Sequence, residues 1–205
     1  MGLRSDIRFT LGQVPSPAVS EEDRERAFAH IRQWGDPALR ETARAVETFD
    51  AAFAQQVSEL EQLMRDADGA GLAATQVGSL RRVFVYRLPD DEEEAPARVI
   101  VNPELVSASE ERDTVLEGCL SLGKARVNVD VERPSALVLE AQDAEGRPLR
   151  IEADGIHARI LQHEFDHLDG VLMLDRTNKE QKRAAIRALN AGERYRPESE
   201  EPAEA

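Results

Sequence analysis

Apolar positions along the chain change period twice, and the two changes lay out the fold. Phe53, Val57, Leu60 and Met64 follow at spacings of four, three and four, one face of an α-helix that should end near Asp66. Asp68-Gly69-Ala70-Gly71 then demands a turn or an open loop. From Arg82 the pattern becomes that of strands. Val83-Phe84-Val85-Tyr86, Val99-Ile100-Val101 and Ala136-Leu137-Val138-Leu139 are short β-branched or apolar runs. Val127, Val129 and Val131 alternate with polar neighbours, as a half-buried strand does. Asp143-Ala144-Glu145-Gly146 is a turn signal, and Leu149 and Ile151 begin a return strand. The acidic run Asp90 to Glu94 falls between the first two strands and predicts a solvated hairpin loop. Helical period returns after Asp154-Gly155, which can cap a helix whose single stripe carries Ile156, Ile160, His163 and His167.

The two ends are more polar. Gln13 to Pro17 reads as irregular chain. Ser20 with Asp23 resembles a capping box, predicting a helix from Glu21 to about Gln33 that Gly35-Asp36-Pro37 breaks. A last helix, Lys179 to Asn190, precedes an acidic tail, Glu198 to Ala205, expected to be disordered. There is no internal repeat. The order predicts an α+β fold: antiparallel strands around a central helix bearing two histidines, with N-terminal helices and a C-terminal helix.

Composition narrows the function classes. The 205 residues suit one domain, and 41% apolar content suffices for a core. A single cysteine excludes an internal disulfide framework. Forty acidic residues against 26 basic ones give a net charge of −14, which argues against a general nucleic-acid binder. No run approaches the roughly 18 apolar residues of a membrane helix, and Met1 to Ser20 lacks the apolar stretch of a signal peptide. A cytoplasmic protein is expected.

His163-Glu164-Phe165-Asp166-His167 carries the chemistry. Histidines at i and i+4 project from one helix face and can share a metal ion, and Glu164 can reach a water on it. Two of the chain's four histidines fall in this pentapeptide. A hydrolytic site wants a third protein ligand, and no histidine follows His167. Glu180 and Glu193 lack a motif context; the lone cysteine lies upstream in Glu117-Gly118-Cys119-Leu120-Ser121. A thiolate and two imidazoles make a plausible open site. Gly69 to Gln76 is too weak a pattern for phosphate, but its small residues admit a peptide backbone and Gln76 can donate to an oxyanion.

Gly69 to Gln76, Glu117 to Ser121 and His163 to His167 together resemble the three motifs of peptide deformylase, in the family's order and with similar separations. The likeness runs from about Ile31 to Asp175 and includes Gly35 to Arg40, Glu152 to Gly155 and Leu168-Asp169-Gly170. It implies residues 1–28 as an N-terminal extension, 29–178 as the catalytic domain and 179–205 as the C-terminal helix and tail. It implies removal of the N-formyl group from the initiator methionine of nascent peptides. Cys119, His163 and His167 would bind one divalent metal, Fe²⁺ first, with Zn²⁺, Ni²⁺ or Co²⁺ possible. Glu164 would take a proton from the attacking water and pass it to the leaving amine. Gln76 and the Leu120 N–H would hold the oxyanion. Gly71 and Arg126 would contact the substrate. Glu117 is grouped with them and also reads as support for the metal site. Asp166, facing away from the metal on its helix, should pair with Arg133.

Two positions depart from the family pattern. Thr75 stands where many members have proline. Arg159 stands where some have an apolar wall of the methionine pocket, and would either pair with an acid or narrow that pocket. His30 and His157 match no role. Two other readings compete: a zinc endopeptidase that uses His163, Glu164 and His167 without Cys119, and a catalytically silent binding protein of the same fold. The family's work implies ribosome contact. Asp175 to Arg196, with seven basic and three acidic residues, offers a locally basic helix for it, unless that helix is merely solvated. No sequence-specific nucleic-acid binding and no membrane contact are expected.

Overall fold

The computed structural model describes residues 19–92, 95–124 and 126–198. The expectations for residues 1–18, for Glu93 and Glu94 and for 199–205 lie outside these. The elements are α1 (Glu21–His30), α2 (Ala51–Asp66), β1 (Gly71–Ala73), β2 (Val83–Tyr86), β3 (Arg98–Ala108), β4 (Arg112–Gly118), β5 (Asn128–Pro134), β6 (Ala136–Gln142), β7 (Pro148–Asp154), α3 (Gly155–Leu168) and α4 (Lys179–Ala191). Short 3₁₀ turns cover Pro37–Arg40, Ala74–Val77, Leu120–Leu122 and Met173–Asp175. Five strands form an antiparallel sheet in the order β1-β2-β3-β6-β7, and β4 and β5 form a separate antiparallel pair. The α+β expectation holds.

Local chemistry accounts for the helix starts. The Ser20 side chain accepts from the Asp23 N–H, Asp50 from the Phe53 N–H, and Asn178 from the Gln181 N–H. Asp154 occupies the cap position of α3, but its side chain makes no capping bond. α1 ends at His30, three residues before the predicted Gln33. The reason is tertiary. Ile31 turns extended, and the Arg32 N–H leaves the helical ladder for the Gln76 carbonyl, 2.7 Å away.

Two strands carry no sequence pattern of their own. β1 falls in the glycine-rich stretch read as a loop, and pairing of Gly71–Ala73 with Phe84–Tyr86 makes it a strand. β4 exists by its seven-residue ladder to β5. The acidic loop is less solvated than predicted. Asp91 accepts from the Leu88 N–H and pairs with Arg98, which holds its carboxyl below the usual range.

The core has three parts. Phe53, Val57, Leu60 and Met64 of α2 pack with Phe28 and Ile31 onto Val83 and Val85 of β2. Ile160, Leu161 and Leu168 of α3 pack on Phe84, Ile100, Leu137 and Leu139 of the sheet. Ala185 and Ala188 of α4 close over Cys119, Val127, Val129 and Val131. The last helix is therefore part of the wall behind the cysteine. Among the described residues, no helix is long and apolar enough to cross a membrane.

Candidate metal centre and active site

α3 turns His163 and His167 to one face, with ring centroids 5.1 Å apart and planes at 73°. β4 and the turn after it bring Cys119 to the same place. Its Sγ lies 3.3 Å from His167 Nε2, and one ligand atom from each of the three residues falls within 4.8 Å of the others. Donors around a tetrahedral ion stand about 3.5 Å apart, so small adjustments would complete the set.

Glu117 orients the first histidine. Its Oε2 is 3.0 Å from His163 Nδ1, which leaves Nε2 for an ion. Glu117 is fully buried, and its acceptors are taken. Arg133 Nε and the Arg159 guanidinium donate to Oε1 at 2.7 and 2.8 Å, and Arg133 donates again to Oε2 at 3.0 Å. Burial opposes its ionisation, but Arg133 and His163 outweigh that and hold its pKa well below the usual carboxylate range. Both Glu117 oxygens are thus engaged by Arg133, Arg159 and His163, the arrangement expected of the support reading. Arg133 also reaches Asp166 at 2.7 Å, as expected, and Asp166 pairs onward with Arg176 at 2.7 Å.

Arg159 takes the first of its two predicted fates. Besides Glu117 it donates to the carbonyls of Val131 and Asp113, at 3.0 and 2.8 Å. Its charge is fully engaged with an acid and two carbonyls.

Glu164 is buried, and burial raises its carboxyl to about 7. Its Oε2 has no hydrogen-bond partner. Gly71 lies against it: a Cβ there would stand 2.5 Å from Oε1. The side chain of Gln76 is aimed by its own neighbour. Oε1 accepts from the Ala73 N–H at 2.8 Å, so the NH₂ end faces Ser121 Oγ at 3.2 Å and Cys119 Sγ at 3.8 Å. Thr75 ties this turn to α3 by donating to the His167 carbonyl at 3.0 Å. Leu120 opens the 3₁₀ turn directly after Cys119.

The donor set fits a metal ion. One thiol and two imidazoles converge, each offering a ligand atom to a common point. The unpartnered buried Glu164 Oε2 adds an acceptor to the same face of α3.

Other residues fall elsewhere. Arg126 is exposed, with φ at +51°, and borders a surface depression with Glu21, Glu25, Phe28 and Lys124. None of the three clustered residues lines that depression. His157 bonds the Tyr86 hydroxyl at 2.9 Å, and His30 ends α1 on the surface. Sequence reasoning quoted Ser121 without giving it a task, although it stands two residues after the cysteine and bonds Gln76. It missed Gln33, which no motif marks.

The sequence profile described as polypeptide deformylase matches residues 28–183. The chain belongs to the polypeptide deformylase family. A peptide deformylase from Parafrankia sp. (strain EAN1pec) is 45% identical over 163 residues, 80% of this chain and 86% of the relative. The crystal structure of a Legionella pneumophila peptide deformylase superposes with a TM-score of 0.72 at 36% identity, covering 78% of this chain and 92% of that one. A Synechococcus elongatus peptide deformylase, in complex with actinonin, gives 0.72 at 34% identity over 91% and 94% of the two chains.

Proposed function

We propose that this deformylase-family chain is a metal-dependent hydrolase that removes the N-formyl group from the initiator formyl-methionine of nascent polypeptides, releasing formate. The observation that carries the reading is the convergence of Cys119, His163 and His167 beside an unpartnered Glu164 oxygen. Cys119 Sγ, His163 Nε2 and His167 Nε2 would hold the ion. When bound, the ion lowers the pKa of water and polarises the formyl oxygen. The family resemblance implies Fe²⁺ first, and a thiolate with two imidazoles equally admits Zn²⁺, Ni²⁺ or Co²⁺.

The chain's own groups do the rest. Glu164 accepts a proton from the attacking water at Oε2 and returns it to the leaving amine. A buried carboxyl with an unpartnered oxygen beside the proposed ligands is placed for both duties. The Gln76 amide, locked by Ala73, and the Leu120 N–H donate to the formyl oxygen as it becomes an oxyanion. Gly71, with no side chain, leaves the Glu164 carboxyl in place and gives the substrate backbone room. For Arg126 a substrate contact is supported by its spacing from Cys119 alone.

The test is formate release from a formyl-methionyl peptide by the metal-loaded protein. Cys119→Ala should lose metal and activity together. Glu164→Ala should keep metal and lose formate release. No formate release by the parent protein would sink the reading. Casein cleavage without formate would favour a zinc endopeptidase, which has no use for Cys119.

Contact with the ribosome in the cytoplasm extends the proposal. Lys179, Arg183 and Arg187 are exposed on α4, while Ala185 and Ala188 are buried against the Cys119 cluster. Truncation before α4 would therefore damage the site itself. Reversing Lys179, Arg183 and Arg187 to glutamate should weaken co-sedimentation with ribosomes at physiological salt and spare hydrolysis of a free peptide. Unchanged co-sedimentation would reject docking through α4.

A further inference from the structure

We propose that Gln33 is a positioning residue for oxyanion stabilisation, holding the turn that presents the Leu120 N–H. This rests on the roles given above to Leu120 and Gln76.

After α1 the chain runs between the two turns that carry those groups. The Arg32 N–H donates to the Gln76 carbonyl at 2.7 Å, and the Trp34 N–H donates to the Ser121 carbonyl at 2.9 Å. Between them, Gln33 reaches the second turn with its side chain. Its NH₂ donates to the Leu120 carbonyl at 3.1 Å and to the Ile31 carbonyl at 3.2 Å, and its Oε1 accepts from the Lys124 N–H at 3.4 Å. One half-buried side chain thus brackets the Leu120–Leu122 turn at both ends.

The direction of the Leu120 N–H follows from that turn. The Cys119 carbonyl accepts from the Leu122 N–H at 2.9 Å, and no peptide bond among the described residues is cis. A trans peptide points its N–H opposite to its carbonyl, so the N–H of Leu120 faces out of the turn on the other side. Fixing the turn fixes that vector. The Leu120 carbonyl also accepts from the Gly123 N–H at 3.1 Å. Without Gln33 the turn therefore persists but loses its outer anchor.

The surroundings brace the same loop. A Cβ on Gly123 would lie 2.7 Å from the Phe28 ring of α1, and one on Gly69 would lie 2.8 Å from Leu120 Cδ1. Arg24 of α1 pairs at 2.7 Å with Asp68, which precedes that glycine. The family profile begins at residue 28, so most of α1 is a brace lying ahead of the matched stretch.

The test compares Gln33→Leu, which keeps bulk without hydrogen bonds, with Gln33→Lys, which restores a donor toward the Leu120 carbonyl. The readouts are kcat, KM, metal content and amide hydrogen exchange at Gly123 and Lys124. Full removal of an oxyanion donor costs about 10²–10³-fold in kcat; a donor kept but poorly aimed should cost about tenfold. We expect that fall in Gln33→Leu, with KM and metal content unchanged, faster exchange at both amides, and most of kcat recovered in Gln33→Lys. Unchanged kcat beside a formate-releasing parent protein would overturn the proposal and leave the proposed function standing. A fall accompanied by metal loss or raised KM would assign Gln33 a merely structural role and also overturn it. Unchanged exchange would overturn it whether or not the protein releases formate. A parent protein that releases none would remove the proposed function and this inference with it.

Discussion

Gly71→Ala should separate the stability of this fold from its chemistry. The added Cβ would stand 2.5 Å from Glu164 Oε1 and 2.7 Å from the Cδ and Cγ atoms behind it. An unstrained contact needs roughly 3.5 Å, so the carboxyl must retreat by about 1 Å. The backbone has no objection, since Gly71 is not among the residues with positive φ. The clash reaches the Cγ stem of a buried side chain, so the whole carboxyl arm must shift. The cost to folding should be about 1–2 kcal/mol, toward the low end for overpacking because one side chain absorbs it, partly offset by the lower entropy of the unfolded chain. The cost to the reaction is larger, because a proton acceptor displaced by about 1 Å can lose on the order of 10²-fold in rate. Formate release under saturating formyl-methionyl peptide measures kcat, thermal melting by circular dichroism measures stability, and elemental analysis checks that Cys119, His163 and His167 keep their metal. A kcat within about twofold of the parent protein would refute the reasoning, given the expected loss. So would a loss of rate that tracks a loss of metal or of folded protein.

Further outcomes follow from the buried charges. Arg133→Met should destabilise by about 3–5 kcal/mol in urea unfolding, since it removes the bridge between the buried acids Glu117 and Asp166. Arg159→Met, which takes one bond from Glu117 and leaves Arg133 in place, should cost about 1–3 kcal/mol; equal losses in the two variants would contradict this ranking. Asp175 gives a pH dependence. Burial alone would raise its carboxyl, but Arg40 and Lys182 bring it down to about 2 from an ordinary value of 3.8. A depressed folded-state pKa stabilises above the unfolded value and loses that contribution as pH falls toward about 2. The stability difference between the parent and Asp175→Asn should thus be greatest near neutral pH and vanish in acid; a difference constant across that range would disprove it.

Periodicity suffices where an element owns its pattern. Phe53, Val57, Leu60 and Met64 are buried together on α2, and His163 and His167 share a face of α3 as their spacing requires. The pairing of Asp166 with Arg133 is readable too, from the side of the helix that turns away from the histidines. What stays hidden belongs to partners distant in sequence. Gly71-Leu72-Ala73 has poor strand propensity and is a strand only through its ladder to β2. α1 stops at His30 because the Gln76 carbonyl, far along the chain, claims the Arg32 N–H. Gln33 has no motif to mark it, since its partners Leu120 and Lys124 lie in another turn. Arg159 is legible as a cation out of place, but its three acceptors come from β4 and β5 and cannot be read from α3.

The unequal hold on Glu117 has an evolutionary consequence. Arg133 binds that carboxylate with two nitrogens and also holds Asp166, whereas Arg159 supplies one bond. A lineage that exchanges Arg133 loosens two buried acids at once, leaving Glu117 to Arg159 and His163 and Asp166 to Arg176. One that exchanges Arg159 gives up a single bond to Glu117 and two to carbonyls, and His163 stays oriented. Position 159 is therefore the more exchangeable of the two arginines, since its loss removes three hydrogen bonds but leaves each buried acid with Arg133.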